Sequence, residues 1–286
     1  MVRQGWCSLL FVPADDAVRR EKAARAGADA VILDLEDGVG SANKADARAA
    51  VAPAAAAVVA AGPDCVVRIN GNWQTAMDDL RAAVSAPVRA IMVPKAESAS
   101  RLIVLAEMLA ELEAERGLPV GHTSLIALIE SPAGLMALPE IAACPRVIGL
   151  ALGPEDLAVS LGVAPSPILL DLPARQLALA AASRGQMALA VPLSIAVFRD
   201  VEGYEAAARQ AAAFGVTGAL CIHPNQVRVA NAVFRPSDAE QVQAARIVAA
   251  WETAQAEGRA VTTLDGVMID RPVVLRAHAV LARAQP

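Results

Sequence analysis

Short apolar runs alternate with longer segments of helical spacing along most of the chain. The apolar runs cover residues 7–12, 30–35, 65–69, 90–93, 125–129, 147–152, 187–191 and 219–222. Runs of this length and content are typical of strands that are buried on both faces. Eight strand–helix units in about 230 residues predict a (β/α)₈ TIM barrel. The alternative is a doubly wound open sheet, which is weakened because no glycine-rich phosphate loop follows an early strand.

Two neighbouring apolar runs, 125–129 and 147–152, each lead to an acidic residue. Glu130 follows the first run directly, and Asp156 follows the second after a Gly-Pro-Glu turn. Residues 132–144 between them have the spacing of one helix, which predicts a parallel crossover. Both acids are then expected at the carboxyl ends of adjacent strands, where such sheets bind ligands. The pair suits Mg²⁺, although each acid could instead cap the helix that follows it.

Polar residues also end the other predicted strands, and a barrel gathers these ends into one ring. The ring is predicted to hold Asp34, Glu36, Asp37, Arg68, Asn70, Lys95, Glu130 and Asp156. Arg68 ends a buried run, so its charge needs an anionic partner. That partner is either Glu36 or Asp37, or a substrate carboxylate bound bidentately. The acids of the second strand end could alternatively cap the next helix or pair with a lysine.

The segment after the eighth unit predicts a C-terminal helical arm. Residues 237–258 have the pattern of a long helix, with a capping box formed by Ser237 and Glu240 at its start. A polar turn and a second helix follow it. The predicted division is therefore a barrel over residues 1–235 and a helical extension over residues 236–286.

Composition narrows the class of protein. The chain has 286 residues, of which 56% are hydrophobic and only 3% aromatic, so the core is expected to be aliphatic. A net charge of −5 without a basic stripe argues against a general nucleic-acid binder. No apolar stretch is long enough to cross a bilayer, and the N-terminus lacks the features of a signal peptide. A cytoplasmic protein is expected, without nucleic-acid or membrane partners.

Several motifs occur together and in a fixed order along the chain. They are SLLFVPA, ADAVILDLEDGV, VRIN, VPKAE, LIALIESPAGL, LALGPEDLAVSLG, CIHPNQV and LDGVMIDRPV. Through these motifs essentially the whole chain resembles the citrate lyase beta-subunit-like group of the HpcH/HpaI aldolase superfamily. That group includes malyl-CoA and citramalyl-CoA lyases. Two positions depart from the group's usual pattern: Ala14 replaces a glycine, and Pro192 lies near an expected aspartate.

The resemblance implies roles for individual residues. It implies Mg²⁺ at Glu130 and Asp156, substrate oxygens bound by Arg68, and an acid or base at Asp270 that reaches a neighbouring subunit's site. Pro154 and Glu155 are expected beside the substrate, and Lys22 and Lys44 near the phosphates of CoA. The group is commonly trimeric or hexameric, so a homotrimer or hexamer is expected. Asp34, Glu36 and Asp37 are expected to lie around the site residues without binding the substrate themselves.

The reaction implied by the resemblance is cleavage of a 3-hydroxyacyl-CoA thioester into a 2-oxo acid and an acyl-CoA. Malyl-CoA, citramalyl-CoA and citryl-CoA are the candidate substrates. A CoA-independent 2-oxo-acid aldolase is a rival, but that branch generally uses an early histidine, and the second strand here ends in DLED. The remaining alternatives are the beta subunit of a multi-subunit citrate lyase and a non-catalytic barrel that binds an acyl-CoA.

Overall fold

The computed structural model describes residues 5–284, and residues 1–4 and 285–286 of the predicted domains lie outside this range. All eight predicted strands are present, with ends that differ from the predicted ones by a few residues at most. They are β1 Ser8–Pro13, β2 Ala30–Asp34, β3 Asp64–Arg68, β4 Val88–Val93, β5 Ser124–Ile129, β6 Val147–Leu152, β7 Met187–Leu189 and β8 Ala219–Cys221.

Helices follow every strand of the sheet. They are α1 Ala17–Ala24, α2 Lys44–Ala60, α3 Trp73–Ala83, α4 Ala99–Glu115, α5 Pro132–Met136, α6 Leu138–Ala142, α7 Pro154–Ser160, α8 Pro167–Arg184, α9 Val201–Ala213, α10 Pro224–Phe234, α11 Asp238–Ala256 and α12 Arg271–Ala284. The single helix predicted over residues 132–144 was wrong, because the chain forms α5 and α6 with a break at Ala137. Pro139 lies in the first turn of the second helix, because proline has no N–H with which to continue the first.

The strands form a nearly closed parallel barrel. Their order is β7-β6-β5-β4-β3-β2-β1-β8, and each neighbouring pair is parallel. Between β7 and β8 the barrel is closed by a parallel bridge from Leu189 to Gly218. The predicted (β/α)₈ barrel is therefore confirmed, and the carboxyl ends of all eight strands meet at one face.

Two apolar layers hold the barrel together. One fills its interior with small and aliphatic side chains such as Leu9, Ile32 and Met92. The other lies between the strands and the surrounding helices. The interior layer ends below the carboxyl face, which leaves room there for polar side chains.

The C-terminal arm consists of α11, a short hairpin and α12. The predicted capping box is confirmed, because Ser237 N donates to Glu240 Oε2 at 2.8 Å and Ser237 Oγ accepts from Glu240 N. Strands β9 Thr262–Leu264 and β10 Val267–Ile269 form the hairpin. Both residues of its turn, Asp265 and Gly266, have positive φ, which matches the twist of a two-residue hairpin. Helices α11 and α12 pack against each other.

Over residues 5–284, none of the helices combines the length and the apolar character that crossing a bilayer requires.

A buried carboxylate stabilises the amino-terminal end of the barrel, away from the polar mouth. Glu113 of α4 is fully buried and accepts hydrogen bonds from Thr123 N at 2.7 Å, Gly121 N at 2.8 Å and Arg146 Nη1 at 2.8 Å. Burial disfavours its charge, but the Arg146 guanidinium and the two N–H groups prevail and lower the pKa of Glu113. Its charge therefore stabilises the fold.

We expect Glu113→Gln to lower the free energy of unfolding by about 3 kcal/mol at neutral pH, because it leaves Arg146 buried without its anion. Chemical denaturation measures this loss, and Glu111→Gln, exposed on the same helix, is the matched control. Since the pKa of Glu113 is lowered in the folded state, its contribution is lost as the pH falls below the ordinary value of 4.5. If the difference in the free energy of unfolding between wild type and Glu113→Gln stayed constant in acid, that result would contradict this account.

Candidate active site

A cavity of about 580 Å³ opens at the carboxyl ends of the strands. One part of its wall is polar and is formed by Arg19, Asp34, Asp37, Arg68, Glu130, Glu155 and Asp156. Another part is apolar and is formed by Phe11, Leu128, Pro154, Ile195, Leu220 and Ile222. The barrel thus brings most of the residues predicted from the strand ends into one pocket.

Arg68 is held by two carboxylates. Its Nε and Nη2 atoms donate to the two oxygens of Asp34, each at 2.7 Å, and its Nη1 lies 3.1 Å from Glu36 Oε2. The guanidinium also lies over the Phe11 ring, 4.8 Å from its centroid. Burial opposes its charge, but Asp34 and Glu36 raise the pKa of Arg68 above its usual value. The cavity therefore contains a permanent, fixed positive charge.

Of the two internal partners predicted for Arg68, Glu36 is confirmed and Asp37 is not, and the bidentate pair is formed with Asp34. The cause is strand register, because Asp34 at the end of β2 lies directly opposite Arg68 at the end of β3. Asp37 is exposed at the rim of the cavity. A Cβ atom on Gly38 would lie 2.5 Å from Asp34 Oδ2, so glycine at this position lets the loop close over the carboxylate.

Hydrogen bonds to its backbone carbonyls also fix the loop after β2. Lys44 Nζ donates to the carbonyl oxygens of Leu35 and Glu36, both at 2.6 Å. Asn70 Nδ2 donates to the Leu35 carbonyl at 2.8 Å and to Asp79. Lys44 and Asn70 therefore shape the acidic loop, and neither side chain lines the cavity.

Glu130 is buried immediately after β5. Its Oε2 accepts from the backbone N–H of Lys95 at 2.8 Å, and Lys95 adopts a positive φ to present that group. A Cβ atom on Gly153 would lie 2.8 Å from Glu130 Oε1, so only glycine leaves space for this carboxylate. Asp156 lies in the first turn of α7, and its carboxylate makes no hydrogen bond or ion pair within residues 5–284.

The mouth of the barrel concentrates negative charge. Burial raises the pKa of Glu130 to about 7; the charge of Asp156 adds to this, while the Lys95 N–H and Arg68 oppose it. Burial likewise raises the pKa of Glu36 to about 7, against the effect of Arg68. In both cases burial is the main cause of the shift, and neighbouring acids add to it.

The donor set fits a hard divalent cation. Over the described part of the chain, no three histidine, cysteine, aspartate or glutamate side chains converge into a metal-binding group. Glu130 and Asp156 provide two carboxylates on one cavity wall. Mg²⁺ needs only one or two carboxylates and takes its other ligands from water and substrate.

Asp270 and Lys22 also lie outside this cavity. Asp270 precedes α12, where its Oδ1 accepts from Val273 N at 3.2 Å, so within one chain it caps that helix. Lys22 is exposed in the last turn of α1. Their expected roles, in a neighbouring subunit's site and at the CoA phosphates, stay predictions.

Sequence reasoning missed Arg19 and, apart from Pro154, the apolar part of the wall. Phe11 lies inside a predicted strand, where it was indistinguishable from a core residue. Ile195 follows β7 in an irregular loop, which no periodicity marks. The departure at Ala14 is accommodated, since this residue is fully buried and its N–H donates to the Asp34 carbonyl at 3.0 Å.

Relatives of known activity cover nearly the whole chain. Citrate lyase subunit beta of Leuconostoc mesenteroides subsp. cremoris is 34% identical over 279 residues, which cover 97% of this chain and 92% of that protein. The L-malyl-CoA/beta-methylmalyl-CoA lyase of Rhodobacter capsulatus is 33% identical, with coverage of 96% and 93%.

A solved structure of a related protein is similar to this chain in both sequence and fold. The protein CitE of Mycobacterium tuberculosis, in complex with magnesium, acetoacetate and coenzyme A, is 35% identical and has a TM-score of 0.71, with 99% of both chains covered. Residues 7–224 also match the family model described as HpcH/HpaI aldolase/citrate lyase. The chain therefore belongs to the HpcH/HpaI aldolase/citrate lyase family.

Proposed function

We propose that this protein is a Mg²⁺-dependent carbon–carbon lyase that cleaves a 3-hydroxyacyl-CoA thioester into a 2-oxo acid and an acyl-CoA. The observation that carries the proposal is the pair of Glu130 and Asp156 beside the fixed Arg68 in one cavity. Relatives named for citrate lyase and malyl-CoA lyase support it, as does a magnesium and coenzyme A complex of a related protein.

The reaction breaks the bond between the hydroxyl-bearing carbon and the carbon next to the thioester. The hydroxyl loses its proton, its carbon becomes the carbonyl of the 2-oxo acid, and the electron pair passes to the thioester enolate, which takes up a proton. When bound at Glu130 and Asp156, Mg²⁺ would supply Lewis-acid polarisation and a template for oxygen ligands.

Arg68 has a role that follows from its contacts. Because Asp34 and Glu36 fix the guanidinium, it does not have to reorganise when negative charge grows on a substrate oxygen. Its bidentate edge is already taken by Asp34, so it acts through its remaining surface at the cavity wall. The geometry thus supports charge stabilisation better than bidentate capture of a substrate carboxylate.

The proton-transfer group is proposed to come from a second copy of the chain. Asp270 lies outside its own cavity, and the polar wall of that cavity offers no group except its acids and two arginines. In a homotrimer or hexamer, the hairpin and α12 of one subunit would place Asp270 at the mouth of the next. Each site would then be assembled from two chains.

Mg²⁺ is expected to raise the melting temperature more at about pH 8 than at about pH 6, because binding at lower pH must displace the proton of Glu130. The same raised pKa means that the metal-free protein loses stability as Glu130 ionises toward pH 7. Thermal unfolding with Mg²⁺ or EDTA measures both effects. Glu130→Gln should abolish the Mg²⁺ response, whereas Glu140→Gln, exposed on α6, should keep it. An equal Mg²⁺ shift at both pH values would argue against this site.

A panel of malyl-CoA, citramalyl-CoA, citryl-CoA and free citramalate tests the reaction itself. We expect 2-oxo-acid release from at least one thioester with Mg²⁺, none with EDTA, and a fall of about 100-fold or more in Glu130→Ala. Release from the free acid alone would identify a CoA-independent aldolase. If no substrate of the panel released a 2-oxo acid, that result would refute the lyase proposal.

Subunit mixing tests the placement of Asp270. Glu130→Ala and Asp270→Asn should each be inactive alone. When the two variants are co-expressed in equal amounts, about one quarter of the sites combine an intact barrel with an intact neighbouring arm, so activity returns to that extent. If Asp270 acts in its own subunit, the mixture stays inactive.

A further inference from the structure

The loop after β7 supplies part of the apolar wall of the cavity. It contains Pro192 where the family resemblance leads one to expect an acid, and the first side chain that it places in the cavity is Ile195. Within residues 5–284, no hydrogen bond or ion pair joins this loop to Glu130, Asp156 or Arg68. Its contribution to the site is a hydrocarbon surface.

Two buried side chains fix the position of that loop. Ser194 Oγ donates to Glu155 Oε1 at 2.5 Å, which joins the loop to the start of α7 beside Asp156. Gln226 Nε2 donates to the Ile195 carbonyl at 2.8 Å, while Gln226 Oε1 accepts from Ile222 N at 2.8 Å. Because Ser194 and Gln226 are both buried, Ile195 is held in place relative to the metal-binding wall.

Ile195 belongs to a continuous apolar surface. It packs with Phe11 against the top of the barrel interior, where Leu128 and Leu220 also reach the cavity. A methyl group or a hydrogen atom can be buried there without cost. A carboxylate placed there would lose its water without gaining a partner.

The buried cation of the cavity wall is already engaged. Arg68 is paired with Asp34 and Glu36. Arg19, the other cation of the wall, is 70% exposed and lies 3.3 Å from Asp16. Within the described residues of one chain, the cavity wall contains no further lysine or arginine to receive a carboxylate.

We infer that the cavity selects 3-hydroxyacyl-CoA thioesters whose hydroxyl-bearing carbon carries a hydrogen or a methyl group, and that Ile195 sets this selectivity. The products would be glyoxylate or pyruvate and an acyl-CoA. Citryl-CoA, whose corresponding substituent ends in a carboxylate, would be excluded. The inference rests on the proposed lyase function and concerns only which thioester is used.

Steady-state kinetics with malyl-CoA, citramalyl-CoA and citryl-CoA test the selectivity. In the wild type, kcat/KM for citryl-CoA should be lower than for citramalyl-CoA by about 100-fold or more. Ile195→Ala should lower the ratio of citramalyl-CoA to malyl-CoA by about 10-fold, since it removes the surface that contacts the methyl group. Ile195→Val should give a smaller decrease, which keeps the test valid if the alanine variant does not fold.

Leu193→Ala, in the same loop but outside the wall of this cavity, is the matched control and should leave the ratio unchanged. Citryl-CoA turnover as fast as that of the other thioesters would overturn the inference and leave the lyase function intact. An unaltered ratio in both Ile195 variants would do the same. If no thioester is cleaved at all, the result contradicts the proposed lyase function itself, on which the selectivity depends.

Discussion

The mouth of this barrel holds more buried negative charge than its own guanidinium can offset. Parallel strands must end at one face, so the acids that follow β2, β5 and β6 are forced into a common space. Arg68 compensates for Asp34 through two short contacts and lies 3.1 Å from Glu36. Within residues 5–284 neither Glu130 nor Asp156 has a cationic partner, which leaves an imbalance of charge; burial and the charge of Asp156 raise the pKa of Glu130. A divalent cation would remove this imbalance.

Two of the buried glutamates, Glu113 and Glu130, show how environment separates structure from function. Glu113 receives three hydrogen bonds, including one from Arg146, and its pKa is lowered. Glu130 receives one hydrogen bond, faces a cavity, and has a raised pKa. The first carboxylate stabilises the fold as an anion. The second costs stability as an anion unless a ligand is present, as expected of a binding site.

The sequence alone predicted the barrel and the polar ring, because both follow from where apolar runs stop. It did not predict the bidentate pairing of Arg68 with Asp34, since that pairing depends on strand register. It also missed Ile195, which reaches the cavity from an irregular loop held by contacts that are distant in sequence. The position of Asp270 outside its own cavity required the three-dimensional course of the arm.

Crystals soaked with Mn²⁺, an anomalous scatterer that replaces Mg²⁺ at carboxylate sites, test the central claim most directly. The account predicts one anomalous peak in the cavity, bound by Glu130 and Asp156, with water or a 2-oxo acid completing the ligands. The Glu130→Gln variant should lose that peak. A metal bound instead by Asp34, Glu36 or Asp37, or no metal in the cavity at a saturating concentration, would contradict it.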